Sequence, residues 1–167
     1  LKECGVTVKA ISDTINSKNN IDFVRSLDAD LILIIAGNQI IKKQTLDSTK
    51  FGVFNVHSSL LPNYKGLMPT FWVLKNQESK TGVTLYQLTE GIDDGPIIAS
   101  KEFKLDAGIT QSKLVRDLKI LANDLVIESI DLVSNKKNYK TIKGGSYFKF
   151  PTTADVKEFK KKNQKFY

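Results

Sequence analysis

The sequence predicts an α/β protein, a mostly parallel twisted sheet with helices on both of its faces. Three observations carry that expectation. Leu31-Ile32-Leu33-Ile34-Ile35 is apolar at every position, as a strand covered on both sides requires. Phe51-Gly52-Val53-Phe54-Asn55-Val56 is a second β-rich run, and segments of helical spacing alternate with such runs along the chain. Turn residues follow the carboxyl ends of both runs, where open α/β sheets bind their ligands.

Taken in order, Val6 to Ile11 is a short β-type run, and Asn19-Asn20 breaks the chain. Ile21, Val24 and Leu27 then have the i, i+3, i+6 spacing of a short amphipathic helix. Ala36-Gly37-Asn38 closes the first apolar strand, and the second delivers Asn55 and His57 at its carboxyl end. Ser58 to Gly66 is a loop punctuated by Pro62 and Gly66. Pro69 suits the first turn of a helix through Phe71, Trp72 and Leu74. Thr81 to Leu88 alternates as a strand, Thr89 to Gly95 is a polar loop, and Pro96 to Phe103 is another strand. Thr110 to Val133 is the one long helix, with Leu114, Leu118, Leu121, Leu125, Ile127 and Leu132 as its apolar set. Thr152 can cap a last short helix, with Asp155 in a capping-box role. Residues 1–135 form the expected core, and 136–167 a basic segment that packs on it or trails from it.

Composition bounds the function. The chain has 167 residues, 41% of them hydrophobic, enough for a real core, and no apolar run approaches the ~20 residues of a membrane span. One cysteine, Cys4, excludes an internal disulfide and fits a reducing cytoplasm. With one histidine besides, no metal site is expected. The formal charge is +7. Nine lysines carry it: Lys136, Lys137, Lys140 and Lys143, then Lys157, Lys160, Lys161, Lys162 and Lys165. Such runs usually make a solvated face, so nucleic acid is the weaker choice of partner.

The residues able to do chemistry cluster. Asn55 and His57, two apart on a strand, point to the same face. A carboxylate from the loop at Asp93 could hold the imidazole there. An amide N–H and an imidazolium together stabilise a developing oxyanion, the dominant need of acyl transfer. Bland readings stand beside this one: Asn55 as a strand-ending turn residue, Asp93 as a turn partner of Gly95, and His57 as a surface or packing residue.

Asn55-Val56-His57-Ser58-Ser59-Leu60-Leu61-Pro62-Asn63-Tyr64-Lys65-Gly66 resembles the signature loop of the 10-formyltetrahydrofolate-dependent formyltransferases. Thr81-Gly82-Val83-Thr84, followed by Gly91-Ile92-Asp93-Asp94-Gly95-Pro96-Ile97, is similar to that family's second motif. The likeness runs from about Asp30 to Ala99. It implies a Rossmann-like fold and a cytoplasmic N-formyltransferase of one-carbon metabolism. By the resemblance, Asn55 donates to the formyl oxygen, His57 stabilises it and assists proton movement, and Asp93, rather than Asp94, orients His57. The folate donor would lie against Ala36, Gly37, Asn38, Gln39 and Ile40 and against Gly91 and Ile92. Merely turning the chain is an alternative to contacting the ligand for both Gly37 and Gly91, and an equal one for Gly37. The family often has a cis bond at the position of Pro62, although trans is the default for any X–Pro bond.

The departures count too. Tyr86 stands where some family members have a second histidine, which weakens a glycinamide ribonucleotide assignment. The family's opening βα units have no counterpart before Leu1, so the sequence reads as lacking its first strands. Gly144 to Thr152 resembles the closing segment of shorter members rather than a tRNA-binding extension. The expected acceptor is therefore a small-molecule amine such as a nucleotide-linked amino sugar. The alternatives are a truncated methionyl-tRNA formyltransferase or a non-catalytic folate- or RNA-binding fragment, and a homodimer is left open.

Overall fold

The computed structural model describes residues 5, 6, 8–135, 139–141 and 143–167, apart from the side chains of 134 and 135. The expectations for Leu1, Cys4, Lys136 and Lys137 fall outside these residues. Those described within the Val6 to Ile11 run form no strand; among them only irregular backbone is found.

Helix α1, Lys18–Ser26, starts earlier than expected, because Ser17 caps it by accepting from the backbone N of Asn20. Asn19 and Asn20 therefore lie inside the helix instead of breaking the chain, and the Asn20 amide is used up on Asp13 (2.6 Å) and the Thr14 carbonyl (3.0 Å). Strand β1, Ile32–Ile35, is followed by the single turn α2, Lys43–Leu46, and then by β2, Val53–His57. β1 and β2 run parallel, with Ile34 beside Asn55. After β3, Lys65–Gly66, comes α3, Pro69–Lys75, with proline in its first turn as expected. Strands β4, Lys80–Gln87, and β5, Ile97–Lys104, form a hairpin, and the sheet order is β1-β2-β4-β5.

Helices and sheet are layered as an α/β protein, but within the four-stranded sheet the parallel expectation holds only for β1 with β2. β4 pairs antiparallel with both β2 and β5. A short loop can join only antiparallel neighbours, and residues 88–96 are such a loop. The long helix α4, Gln111–Asn135, packs across β4 and β5, with Leu114, Leu118 and Leu125 buried in the same cluster as Val83 and Leu85. On the other side of β4 the cover is a loop: the Thr84 hydroxyl donates to the Ser59 carbonyl (2.7 Å) and accepts from Leu61 N (3.1 Å). β4 is thus buried at every position from Thr81 to Tyr86.

Two expectations of burial fail for geometric reasons. β1 is apolar throughout, yet Ile35 is 65% exposed, because β1 sits at the sheet edge with β2 as its one pairing partner among the described residues. On α4, Ile127 is 65% and Leu132 38% exposed. Ile127 comes two residues after the buried Leu125, roughly 200° round the helix.

The segment after α4 is integrated into the core. Strand β6, Tyr147–Phe148, pairs parallel with β3, and α5, Thr153–Lys161, buries Phe159 completely. The Phe159 ring stacks on Phe71 at 4.8 Å and on Phe166 at 4.8 Å. The Thr152–Asp155 capping box forms as expected. Lys75 anchors α5 from beneath, 2.7 Å from Glu158 and 3.4 Å from Asp155.

That anchor has a pH dependence whose sign is fixed. The Thr152 hydroxyl, with help from Lys75, holds the Asp155 carboxyl below its ordinary 3.8, and Lys75 holds Glu158 below its ordinary 4.5. Groups with depressed folded values stabilise above their ordinary values and lose that stabilisation as pH falls through the folded ones. An acid titration followed by Trp72 fluorescence is expected to show α5 loosening below pH 4.5, with no change between pH 5 and 8.

Candidate active site

β2 ends in the site. Asn55 and His57 project from one face, and the antiparallel register sets Tyr86 beside Asn55 and Thr84 beside His57. His57 is 6% exposed, and its Nε2 lies 2.7 Å from the Tyr64 carbonyl oxygen. A carbonyl only accepts, so Nε2 carries a proton and Nδ1 is left to face the rest of the site. The loop that supplies this carbonyl is held on both sides. Tyr64 N donates to Ser146 Oγ (2.9 Å), Lys65 N to the Ser146 carbonyl (2.9 Å), and Leu67 N to the Phe148 carbonyl (2.9 Å). Within it the Leu61–Pro62 bond is cis, not the trans default.

Asp93 reaches this group from the loop between β4 and β5. Its Oδ2 is 3.7 Å from His57 Nδ1, an ion-pair separation, and accepts from Gly66 N at 2.6 Å. Its Oδ1 accepts from the Tyr86 hydroxyl at 2.5 Å, and that hydroxyl in turn accepts from Asn55 Nδ2 at 3.0 Å. Burial first, then the charge of Asp93 and the hydrogen bond to it, push the Tyr86 phenol far above its usual range, so it stays protonated. Asp94 points elsewhere, accepting from the exposed Thr89 hydroxyl at 2.6 Å.

Gly66 fits here because it adopts φ +93, and a Cβ would collide with the Phe148 carbonyl. Four non-glycine residues around the site also take positive φ: Ala36, Tyr64, Met68 and Asp93. Each such conformation costs on the order of 1 kcal/mol and persists only where the surroundings impose it.

Asn55 and His57 open onto a cleft of ≈ 610 Å³ between the end of β1, the 66–69 turn and α4. Leu33, Ile35, Val56, Leu67, Met68 and Val126 give it apolar walls, and Ser58, Lys119 and Asn123 add polar groups. Of the expected donor wall, Ala36 and Gly37 line this cleft. Asn38, Gln39 and Ile40 do not; the Gln39 amide and the Ile40 carbonyl are bonded to Ile15 N and Asn16 Nδ2. Gly91 and Ile92 lie exposed in the loop before Asp93, outside the cleft. A Cβ at Gly37 would lie 2.5 Å from Ile34 Cγ2, so a larger residue there would need the Ile34 side chain to shift.

The structure therefore brings Asn55, His57 and Asp93 together and, of the seven residues expected to hold the donor, sets Ala36 and Gly37 on the cleft and the other five outside it. Sequence reading passed over the Gly66 N–H and Tyr64 carbonyl as hydrogen-bonding partners. It noticed Tyr86 only as a departure. Alternation along β4 puts Tyr86 on the same face as Thr84, which is the signal that could have found it.

Comparison with known proteins bears on the family and the fold. A protein-family model described as formyl transferase matches residues 5–130. Methionyl-tRNA formyltransferase of Clostridioides difficile is 35% identical over 133 residues, 80% of this chain and 43% of that protein. The enzyme of the same name from Thermotoga maritima is 35% identical over 119 residues, 71% and 38% of the two chains. This chain thus spans less than half the length of those curated relatives. Among solved structures, the formyltransferase PseJ of Anoxybacillus kamchatkensis superposes with a TM-score of 0.63 at 30% identity. That match covers 74% of this chain and 66% of the other, which was crystallised with UDP-4,6-dideoxy-4-formamido-L-AltNAc and tetrahydrofolate. A likely sugar N-formyltransferase of Mycobacterium tuberculosis has a TM-score of 0.72 at 18% identity, covering 90% and 70%, and attests the shared fold.

Proposed function

The chain belongs to the formyl transferase family, and from that premise we propose that it carries the reaction centre of an N-formyltransferase using 10-formyltetrahydrofolate as donor. The observation behind the proposal is the gathering of Asn55 and His57 on one cleft with the Asp93 carboxylate 3.7 Å behind the imidazole. The cleft suits the donor chemically, with apolar walls for a flat heterocycle and few, convergent polar groups.

In the transfer, a neutral amine of the acceptor attacks the formyl carbon. The new C–N bond forms as the bond to the donor nitrogen breaks, and the proton lost by the amine ends on that nitrogen. The chain's residues act on charge and protons. The free Asn55 N–H, and His57 when Nδ1 is protonated, stabilise the oxygen as it becomes negative. Asp93 keeps the imidazole oriented and steadies its charged form. The nucleophile is the acceptor's own amine, so no serine or cysteine is needed.

The acceptor we favour is the amine of a nucleotide-linked amino sugar, which the likeness to the Anoxybacillus structure supports over two thirds of this chain. A second reading, methionyl-tRNA, is supported by the curated relatives at 35% identity. Either way the protein acts inside the one-carbon chemistry of the cytoplasm. The test supplies 10-formyltetrahydrofolate with either a UDP- or dTDP-linked amino sugar or methionyl-tRNA, and follows tetrahydrofolate release together with mass of the acceptor. Formylated sugar is the expected product. Formylated methionyl-tRNA alone would transfer the assignment to the second reading. Donor affinity by calorimetry without turnover of either acceptor would reduce the protein to a folate binder.

A further inference from the structure

We infer that Tyr86 is a positioning residue of the reaction centre, whose buried hydroxyl, shared between the Asn55 amide and the Asp93 carboxylate, fixes both in one orientation. Tyr86 is 0% exposed and is the cross-strand neighbour of Asn55. A phenol has one proton to give, and a carboxylate only accepts, so that proton goes to Asp93 Oδ1. The phenol oxygen is then free only to accept, which obliges Asn55 to turn its NH₂ group towards it.

One side of the Asn55 amide is thereby assigned, leaving its second N–H for the cleft. Without the hydroxyl, a half-turn of the amide about its last torsion would present the carbonyl oxygen instead, reversing what a substrate oxygen meets. The same hydroxyl settles Asp93. One carboxylate oxygen is taken by Tyr86 and the other by Gly66 N, so the oxygen facing His57 Nδ1 cannot rotate away. Hydrogen bonds linked in series also polarise one another in a site this poorly solvated. Filling space between the strands would need only the ring, and phenylalanine supplies that.

The kinetic arm of the test rests on the proposed formyl transfer; the spectroscopic arm does not. In Tyr86→Phe, kcat with 10-formyltetrahydrofolate and the acceptor turned over by wild type is expected to fall on the order of 10- to 100-fold, the loss typical of a hydrogen bond to a charged group. KM for the donor should stay within about twofold, as for groups that act on the transition state rather than on binding. Tyr86→Phe should cost less in an Asp93→Asn background than in wild type, since the link to Asp93 is shared while that to Asn55 is not. His57 is the only histidine, so its two ring nitrogens are read from ¹⁵N spectra without assignment. The Nδ1 resonance of Tyr86→Phe should move while Nε2, bonded to Tyr64, holds. Incorporating 3-fluorotyrosine at position 86, which keeps the hydroxyl and makes it more acidic, should also shift Nδ1, with thermal melting as the check on the fold. A wild-type kcat and an unmoved Nδ1 resonance in Tyr86→Phe, or an unmoved Nδ1 in the fluorinated protein, would overturn the inference. Wild type inactive on both acceptors would instead reject the proposed function and leave the spectra to judge Tyr86.

Discussion

Asp93→Asn is expected to lower formyl transfer by on the order of 10²- to 10³-fold while donor affinity changes by less than about threefold. The carboxylate now accepts two hydrogen bonds at once, from Gly66 N through one oxygen and from the Tyr86 hydroxyl through the other. An amide of the same shape has one oxygen and one NH₂. Whichever way it settles, either the Gly66 N–H meets an NH₂ group or the Tyr86 hydroxyl loses the acceptor of its proton, in a site that is nearly closed, with the Asp93 side chain 12% exposed. The charge 3.7 Å from His57 Nδ1 disappears as well. Steady-state kinetics alongside calorimetry with a non-transferable folate analogue measure both quantities, and thermal melting checks that the fold survives. Rates near wild type would remove Asp93 from the mechanism.

Phe71→Ala is the largest effect expected on stability, a loss on the order of 3–5 kcal/mol. The Phe71 side chain is 0% exposed and lies where α3, α5 and the residues after α5 converge. It stacks on Phe159 at 4.8 Å and on Phe166 at 6.3 Å, and meets Trp72 edge-on at 5.2 Å. Truncation removes three ring contacts and leaves a space that rigid helices on either side cannot fill by shifting. Urea denaturation read by Trp72 fluorescence should show the midpoint fall sharply, and Phe71→Leu should recover most of the loss. A change below about 1 kcal/mol would mean that the cluster relaxes around the gap.

The proposed reaction centre was legible in the sequence where its members are neighbours. Asn55 and His57 lie two apart on a strand, so period alone puts them on one face. Asp93 announced itself as a carboxylate in a glycine-flanked loop. What holds these three was not legible, because it comes from far along the chain. The bond from Tyr64 N to Ser146 Oγ spans 82 residues, that from Gly66 N to Asp93 spans 27, and that from Asn55 to Tyr86 spans 31. Local pattern carries no register between such segments. The same gap explains the sheet. The apolar run at β1 signals a strand, but whether a strand is central or at an edge is decided by its neighbours, and Ile35 is exposed for that reason. Helices were easier: Pro69, Thr152 and Asp155 act within a single turn, and the ends of α3 and α5 fell where those residues require. The start of α1 was missed because Ser17 was passed over in favour of the asparagines that follow it.

The strand at 147–148 has a bearing on when the protein comes alive during synthesis. The carbonyl that fixes the imidazole belongs to Tyr64, and Tyr64 is itself steadied by Ser146. A ribosome that has finished β2, the signature loop and the Asp93 loop has therefore made every group of the proposed chemistry without setting the ring. Contacts this remote form only after the entropy of closing the intervening chain has been overcome. The imidazole is then set late, when β6 docks, and a nascent chain paused before Ser146 can already join Asn55, Tyr86 and Asp93 but lacks the brace on Tyr64.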